Sequence, residues 1–214
     1  MEVKTISPPV SNFLQVSLDK KILNHLWKII DIAKTNDKSY KSNLVGNISQ
    51  SIKLDDLDSF FYKSVCMPLI NYYRKNNPIG ADPVAQNAIM GPETQLLLNQ
   101  FWVNYQYKTE FNPFHDHFGV YSFAIWMRIP YSWEEQKKLP QFHEISDENI
   151  AAGCFEFEYN DTLGFIQNYK YRLSPEFEGC MVFFPAKLRH CVHPFYEINE
   201  PRISIAGNLS YIPS

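Results

Sequence analysis

The sequence predicts a mainly β fold with N-terminal helices (α+β), its strands closed into a sandwich or jelly roll. Apolar residues recur at helical spacing only in the first eighty positions, whereas beyond Gly91 and Pro92 they fall into short aromatic and β-branched runs separated by turn residues. Hydrophobic residues make up 45% of the chain and aromatics 15%, so a single open sheet would leave an apolar face in water unless it folded onto another layer. With 214 residues the chain suits one buried core. The expected division is a single domain, 1–214, with a helical N-terminal support region over 1–94 and a β core over 95–214.

The first fifteen residues, with Pro8 and Pro9 among polar and β-prone positions, read as an extended entry segment and a candidate edge strand. Leu18, Ile22, Leu23, Leu26, Ile29, Ile30, Ile32 and Ala33 then predict an amphipathic helix to about Thr35, with Ser17 or Asp19 as its N-cap. A polar, turn-rich stretch follows from Asn36 through Gly46 to Ser51. Leu54, Leu57, Phe60, Phe61, Val65, Leu69, Ile70 and Tyr73 restore the helical period, Pro68 should kink or divide that helix, and Asn76-Asn77-Pro78 should stop it. Strands are expected at 96–107, 120–129, 153–159, 169–173, 179–184, 191–196 and 202–211. The polar segment 131–150 predicts a long loop at the mouth of the barrel or a lid. The helical region should buttress the outer face of the larger sheet, and its surface is also a candidate homodimer face.

The formal charge of −3, with no basic run longer than two residues, argues against nucleic acid as a partner. Cys66, Cys154, Cys180 and Cys191 stand far apart, and neither a signal peptide nor a membrane-length apolar run is visible. These features predict a cytoplasmic protein with no membrane partner, its thiols packed as small hydrophobes.

Chemistry concentrates in two segments, Phe-Asn-Pro-Phe-His-Asp-His at 111–117 and Phe-Phe-Pro-Ala-Lys-Leu-Arg-His at 183–190. In an extended backbone His115 and His117 leave the same face while Asp116 leaves the other, so one metal ion can be gripped by both histidines. Two surface histidines at a strand end would be the plain alternative, but the turn at Asn112-Pro113 and the bend allowed by Gly119 place the pair where a site can open. His190 is the preferred remote ligand, since His193, three residues on, should face the other way. Arg202, with Ser204 on the same strand face, can hold a carboxylate through a planar fork and a hydroxyl. Arg128 is a weaker rival anion anchor, more simply read as a solvated strand-end residue. No nucleophile elbow, phosphate-binding glycine loop or His-Glu-x-x-His helix is found.

Asn112-Pro113-x-His115-x-His117, Ser122-Phe123 before a strand ending Ile129-Pro130, Phe184-Pro185-x4-His190-x-Val192-x-Pro194 and Arg202-x-Ser204 together resemble the Fe(II)/2-oxoglutarate-dependent oxygenases. Within that family the prolyl-hydroxylase-like group of bacterial and phage type is most similar, over about residues 95–212. The resemblance implies a double-stranded β-helix (jelly roll), Fe(II) bound by an H-x-D/E…H set, and 2-oxoglutarate as co-substrate, held by the metal and the Arg-x-Ser pair. It further implies metal ligation by His115, His117 and His190, co-substrate contacts from Arg202 and Ser204, and a tyrosine contact assigned to Tyr105, with Tyr107 on the same face as the alternative. The implied reaction consumes dioxygen and hydroxylates a peptide or prolyl residue or a small metabolite.

His117 stands where the family usually has aspartate or glutamate. A working three-histidine centre is the favoured outcome, because Asp116 would have to reverse the strand alternation to reach the metal; a shifted role for Asp116 and a weakened site are the other two. The rival functions are a three-histidine dioxygenase that needs no keto acid and a non-catalytic jelly-roll binding module.

Overall fold

The computed structural model describes residue 4 and residues 12–36, 38–76 and 95–211. Strand β1 (Leu14–Ser17) lies at a sheet edge, at the end of the expected entry segment; Pro8 and Pro9 fall outside the described residues. Helix α1 (Lys20–Asn36) starts at Asp19 rather than Ser17, because the Asp19 carboxylate accepts the Ile22 N–H at 2.9 Å and satisfies an otherwise orphaned donor. Its buried residues, Ile22, Leu26, Ile29, Ile30 and Ala33, form one stripe.

The turn-rich stretch runs into β2 (Gln50–Lys53), which starts within its last two residues and is too short to show an alternating pattern. The second helical segment, expected to be kinked or divided at Pro68, stays helical from residue 60 to 76 and changes from a π turn to an α-helix just before Pro68. Asp56 accepts the N–H groups of Phe61 and Tyr62 at its start, residues Tyr62–Cys66 form a π turn, and α2 runs from Met67 to Asn76. Pro68 has no N–H to give to a preceding carbonyl, and the wider turn just before it relieves the demand for a regular α ladder. Helix α2 ends at Asn76, and Asn77-Pro78 lies outside the described residues.

The remaining strands are β3 (Leu96–Gln106), β4 (Asn112–His115), β5 (Tyr121–Arg128), β6 (Phe155–Asn160), β7 (Ile166–Tyr171), β8 (Cys180–Pro185), β9 (Arg189–Val192) and β10 (Arg202–Tyr211). Strand β4 is an unpredicted element, since Pro113 interrupts its pattern. Strand β7 starts three residues before the expected Tyr169, and β9 covers 189–192 rather than 191–196. Both boundaries are set by pairing with β6, to which Ile166 and Arg189 are joined in register. Two antiparallel sheets result, one of six strands in the order β1-β8-β5-β10-β3-β2 and one of four in the order β4-β9-β6-β7.

Alternation along the strands of the six-stranded sheet divides its side chains between two environments. Phe101, Val103, Phe123, Ile125, Phe183 and Ile205 face α1 and the second helical segment, burying Leu26, Ile30, Phe61 and Tyr73 against them. The opposite face carries Trp126, Val182 and Phe184, which pack against Phe155, Phe157 and Tyr171 of the four-stranded sheet. The helices therefore buttress the outer face of the larger sheet. No described helix is long and apolar enough to cross a membrane.

Segment 131–150, expected as a long loop, carries short helical turns and is anchored to the rest of the fold. Ser132 caps a short helix, α3 (Trp133–Gln136), with a reciprocal contact from Glu135. Trp133 is buried beneath Lys137 and Arg172, and the Gln136 amide both donates to the Tyr196 carbonyl and accepts the Tyr196 N–H. Polar composition concealed these anchors, because a few well-placed apolar residues are enough to pin a charged segment.

Phe61 is fully buried and its ring stacks 5.4 Å from Phe101. Phe61→Ala should lower unfolding stability by about 3–5 kcal/mol, the usual cost of emptying a large aromatic site. Denaturant titration followed by circular dichroism measures this, and a loss under about 1 kcal/mol would contradict tight helix-to-sheet packing.

Candidate active site

Strand β4 pairs antiparallel with β9, and in that register His115 is the direct partner of His190. His117 follows the end of β4, where its N–H donates to the Ala186 carbonyl at 2.9 Å. Gly119 then turns the chain at a φ of 117°, and a Cβ there would meet the Leu209 carbonyl oxygen at 2.7 Å, so only glycine fits. The three imidazoles converge: ring centroids are 4.3 Å apart for His115 and His190, and 5.0 Å for each with His117. One ligand atom from each lies within 4.8 Å of the other two.

Two backbone contacts set the tautomers. His115 Nδ1 lies 2.7 Å from the Pro113 carbonyl oxygen and His190 Nδ1 lies 2.9 Å from that of Leu188. A carbonyl only accepts, so each Nδ1 carries the proton and each Nε2 keeps its lone pair. Burial lowers the pKa of all three rings. For His117 burial and the neighbouring His115 bring it to about 4, and burial together with both other histidines holds His190 well below the usual imidazole value. Near neutral pH the set is three uncharged nitrogen donors, the form a metal requires. Asp116 is exposed at the cavity rim and pairs with Lys187 at 3.1 Å; its carboxylate is not among the donors that lie within 4.8 Å of one another.

The histidines border a cavity of about 310 Å³ between the two sheets. Arg202, Ser204, Ala206 and Asn208 enter it from alternate positions of β10, and Gln100, Trp102 and Asn104 from β3. Arg202 is 2% exposed and paired with neither Glu200 nor solvent. One of its terminal nitrogens donates to the Tyr131 hydroxyl at 2.5 Å and the Gly153 carbonyl at 3.1 Å, and the other donates to the Gln106 side-chain oxygen. Tyr131 passes its own proton to the Gly153 carbonyl at 2.7 Å, and burial pushes its pKa up to about 12. This frame holds the guanidinium plane still.

Tyr105 does not reach the cavity. It sits on the β3 face opposite Trp102 and Asn104, inside the cluster beneath α1, and Tyr107 on the same face is partly exposed. Strand parity decides this, and a position ten residues before His115 said nothing about parity. Arg128 is exposed at the end of β5 and does not line the cavity. His193 turns to the other side of β9, 2.6 Å from Glu156.

Sequence reasoning missed Tyr131 and Gln106, which position Arg202. It also missed a polar row across the cavity floor, where the Ser122 hydroxyl donates to Asn208 and the Asn208 amide donates to Gln100. Extending the Arg202-x-Ser204 alternation by two steps would have found Asn208. The partners from other strands carry no local signal.

Comparison with known proteins agrees with this geometry. No curated protein matches the sequence. The fold is similar to a prolyl-4-hydroxylase crystal structure from Pseudomonas putida, with 13% identity over 94% of this chain and 93% of that one and a TM-score of 0.52. A 2OG-Fe(II) oxygenase family oxidoreductase from Burkholderia pseudomallei is also similar, at 11% identity over 92% and 84% of the two chains and a TM-score of 0.48. A family model described as "Putative 2OG-Fe(II) oxygenase" matches residues 100–208, a span of just over half the chain that holds all three histidines together with Arg202 and Ser204. The chain therefore belongs to the 2OG-Fe(II) oxygenase family, enzymes that use iron and 2-oxoglutarate.

Proposed function

We propose that His115, His117 and His190 hold the ferrous ion, that Arg202 and Ser204 hold the distal carboxylate of 2-oxoglutarate, and that the enzyme hydroxylates a peptide, a prolyl residue or a small metabolite. The observation that carries this reading is the opening of all five side chains onto one cavity. The donor chemistry fits: neutral imidazoles suit ferrous iron, and the two backbone carbonyls behind His115 and His190 aim their Nε2 atoms. When bound, iron and the keto acid supply the activation of dioxygen and the oxidation of a C–H bond, with succinate and carbon dioxide as co-products.

The residues supply position and exclusion of water. Three of Arg202's N–H donors are committed to Tyr131, Gly153 and Gln106. Of the five that a guanidinium carries, two remain, the Nε–H and one on the nitrogen that meets Gln106, the number a carboxylate accepts in a forked pair. Ser204, two residues along the same face, adds a hydroxyl nearer the histidines. Trp126, Phe155 and Phe184 close the apolar side of the cavity, which strengthens every charge interaction inside it. His117 in place of a carboxylate leaves the divalent charge uncompensated by protein, and the dianionic keto acid neutralises it. Charge balance thus favours tight co-substrate binding.

Strands β3, β5, β8 and β10 in one sheet and β4, β6, β7 and β9 in the other support the finer reading of the core as a double-stranded β-helix. The continuous cluster from α1 to the sheet supports one domain, with 1–94 as support and 95–214 as core. Four free, buried thiols support a reducing, cytoplasmic setting.

Calorimetric titration of 2-oxoglutarate into manganese-loaded protein tests the carboxylate anchor. Ser204→Ala should weaken binding about tenfold and Arg202→Ala by more, as expected for losing one neutral and two charge-assisted hydrogen bonds. If 2-oxoglutarate has no effect and Arg202→Ala leaves metal-dependent activity unchanged, a dioxygenase without keto acid replaces this reading. For the metal set, His117→Asp should retain stoichiometric iron after desalting while His117→Ala should lose most of it. Full iron in His117→Ala would remove His117 from the ligand set.

A further inference from the structure

A second cluster of donors lies behind the first. On the face of the four-stranded sheet turned away from the histidine trio, Glu156 of β6 is the direct register partner of Cys191 of β9, and His193 follows two residues later on the same side. The Glu156 Oε2 atom is 2.6 Å from His193 Nε2, and the Cys191 Sγ atom is 3.2 Å from that same nitrogen. All three donors lie within 4.8 Å of one another. Glu156 is 3% exposed and Cys191 4%, while the His193 side chain reaches solvent. A buried carboxylate, a buried thiol and an imidazole therefore meet at one point with an entry path from outside.

Hydrogen bonding alone serves this arrangement poorly. A ring nitrogen that donates its proton to Glu156 has no lone pair for the Cys191 S–H and leaves the sulfur at best a weak second acceptor of the same N–H, while Asn168 already donates to the other Glu156 oxygen. A relay of the nucleophile, base and orienting-acid kind is also excluded, because thiol and carboxylate face the same nitrogen rather than opposite ones. A cation among the three satisfies them all.

We propose that Glu156, Cys191 and His193 form a second metal site, for a borderline-soft divalent cation of the zinc class, with water in the fourth position. Thiolate, imidazole and carboxylate in one set select such an ion over calcium or magnesium. Ligand bonds of about 2.0–2.3 Å in a tetrahedron require donors roughly 3.3–3.6 Å apart, so the two contacts to His193 Nε2 need open by only about 1 Å or less. Without the ion, burial and then Glu156 push the Cys191 thiol up to about 12; on binding, the thiol proton passes to solvent as the metal–sulfur bond forms. The ion would cross-link β6 and β9 one residue from His190, whose own register partner on β6 is Phe157. Its role is to clamp the strand pair that positions the iron-side histidine.

Cobalt(II) titration tests the site independently of iron chemistry. The metal-free His115→Ala/His117→Ala protein should still take up one equivalent and develop a thiolate-to-cobalt charge-transfer band that zinc abolishes. Adding Cys191→Ser should remove the band, and adding His193→Ala should reduce uptake at least tenfold. If the double variant does not fold, wild-type protein serves equally, because a site of three histidines gives no sulfur band. Absence of the band from folded protein, or its persistence in Cys191→Ser, would overturn the proposal. Because the double variant lacks the first site, either result leaves the iron reading untouched.

Discussion

Pairing of β4 with β9 is the contact on which the site depends. Residues 75 positions apart in the chain, His115 and His190, become direct partners across two antiparallel strands. The cost of closing so long a loop is met by the surrounding sheet rather than by this short pair itself. Strand β9 is held on its other side by β6, and β6 by β7, so register errors at the histidines would have to propagate through the whole sheet. The short β4 can therefore carry Pro113 and a register irregularity without losing its place.

The two-sided burial of the larger sheet is the second condition. Its outer face is apolar and would be insoluble if bare, and α1 with the second helical segment covers it. Only because that face is covered can the inner face carry Arg202, Ser204 and Asn208 on one strand. The hydrophobic requirement of the core is met on the outer face and around Trp126 and Phe184. Arg202 is tolerated at this depth because Tyr131, Gly153 and Gln106 accept its donors. An unpaired buried guanidinium would cost several kcal/mol.

The same period of two that turns His190 to the cavity also forms the back of β9. His190 faces the cavity, and Cys191 and His193 face Glu156. Reactive side chains thus occupy both faces of a four-residue strand.

The sequence by itself determined the class of fold, the long strands β3, β5 and β10, helix α1, the histidine trio and the Arg202–Ser204 face. Each follows from a local period or a local steric rule, which neighbouring residues carry in full. Only the tertiary structure decided that β2 and β4 exist, that 131–150 is anchored through Trp133 and Gln136, and that Tyr105 lies beneath α1 rather than in the cavity. Those features depend on partners far away in the chain: a short strand gains its hydrogen bonds from another strand, and a tyrosine is assigned its side by the register of the sheet. The choice between Asp116 and His117 stands between the two kinds of evidence. Alternation predicted that Asp116 would turn outward, and Lys187, 71 residues away, pairs with it at the cavity rim.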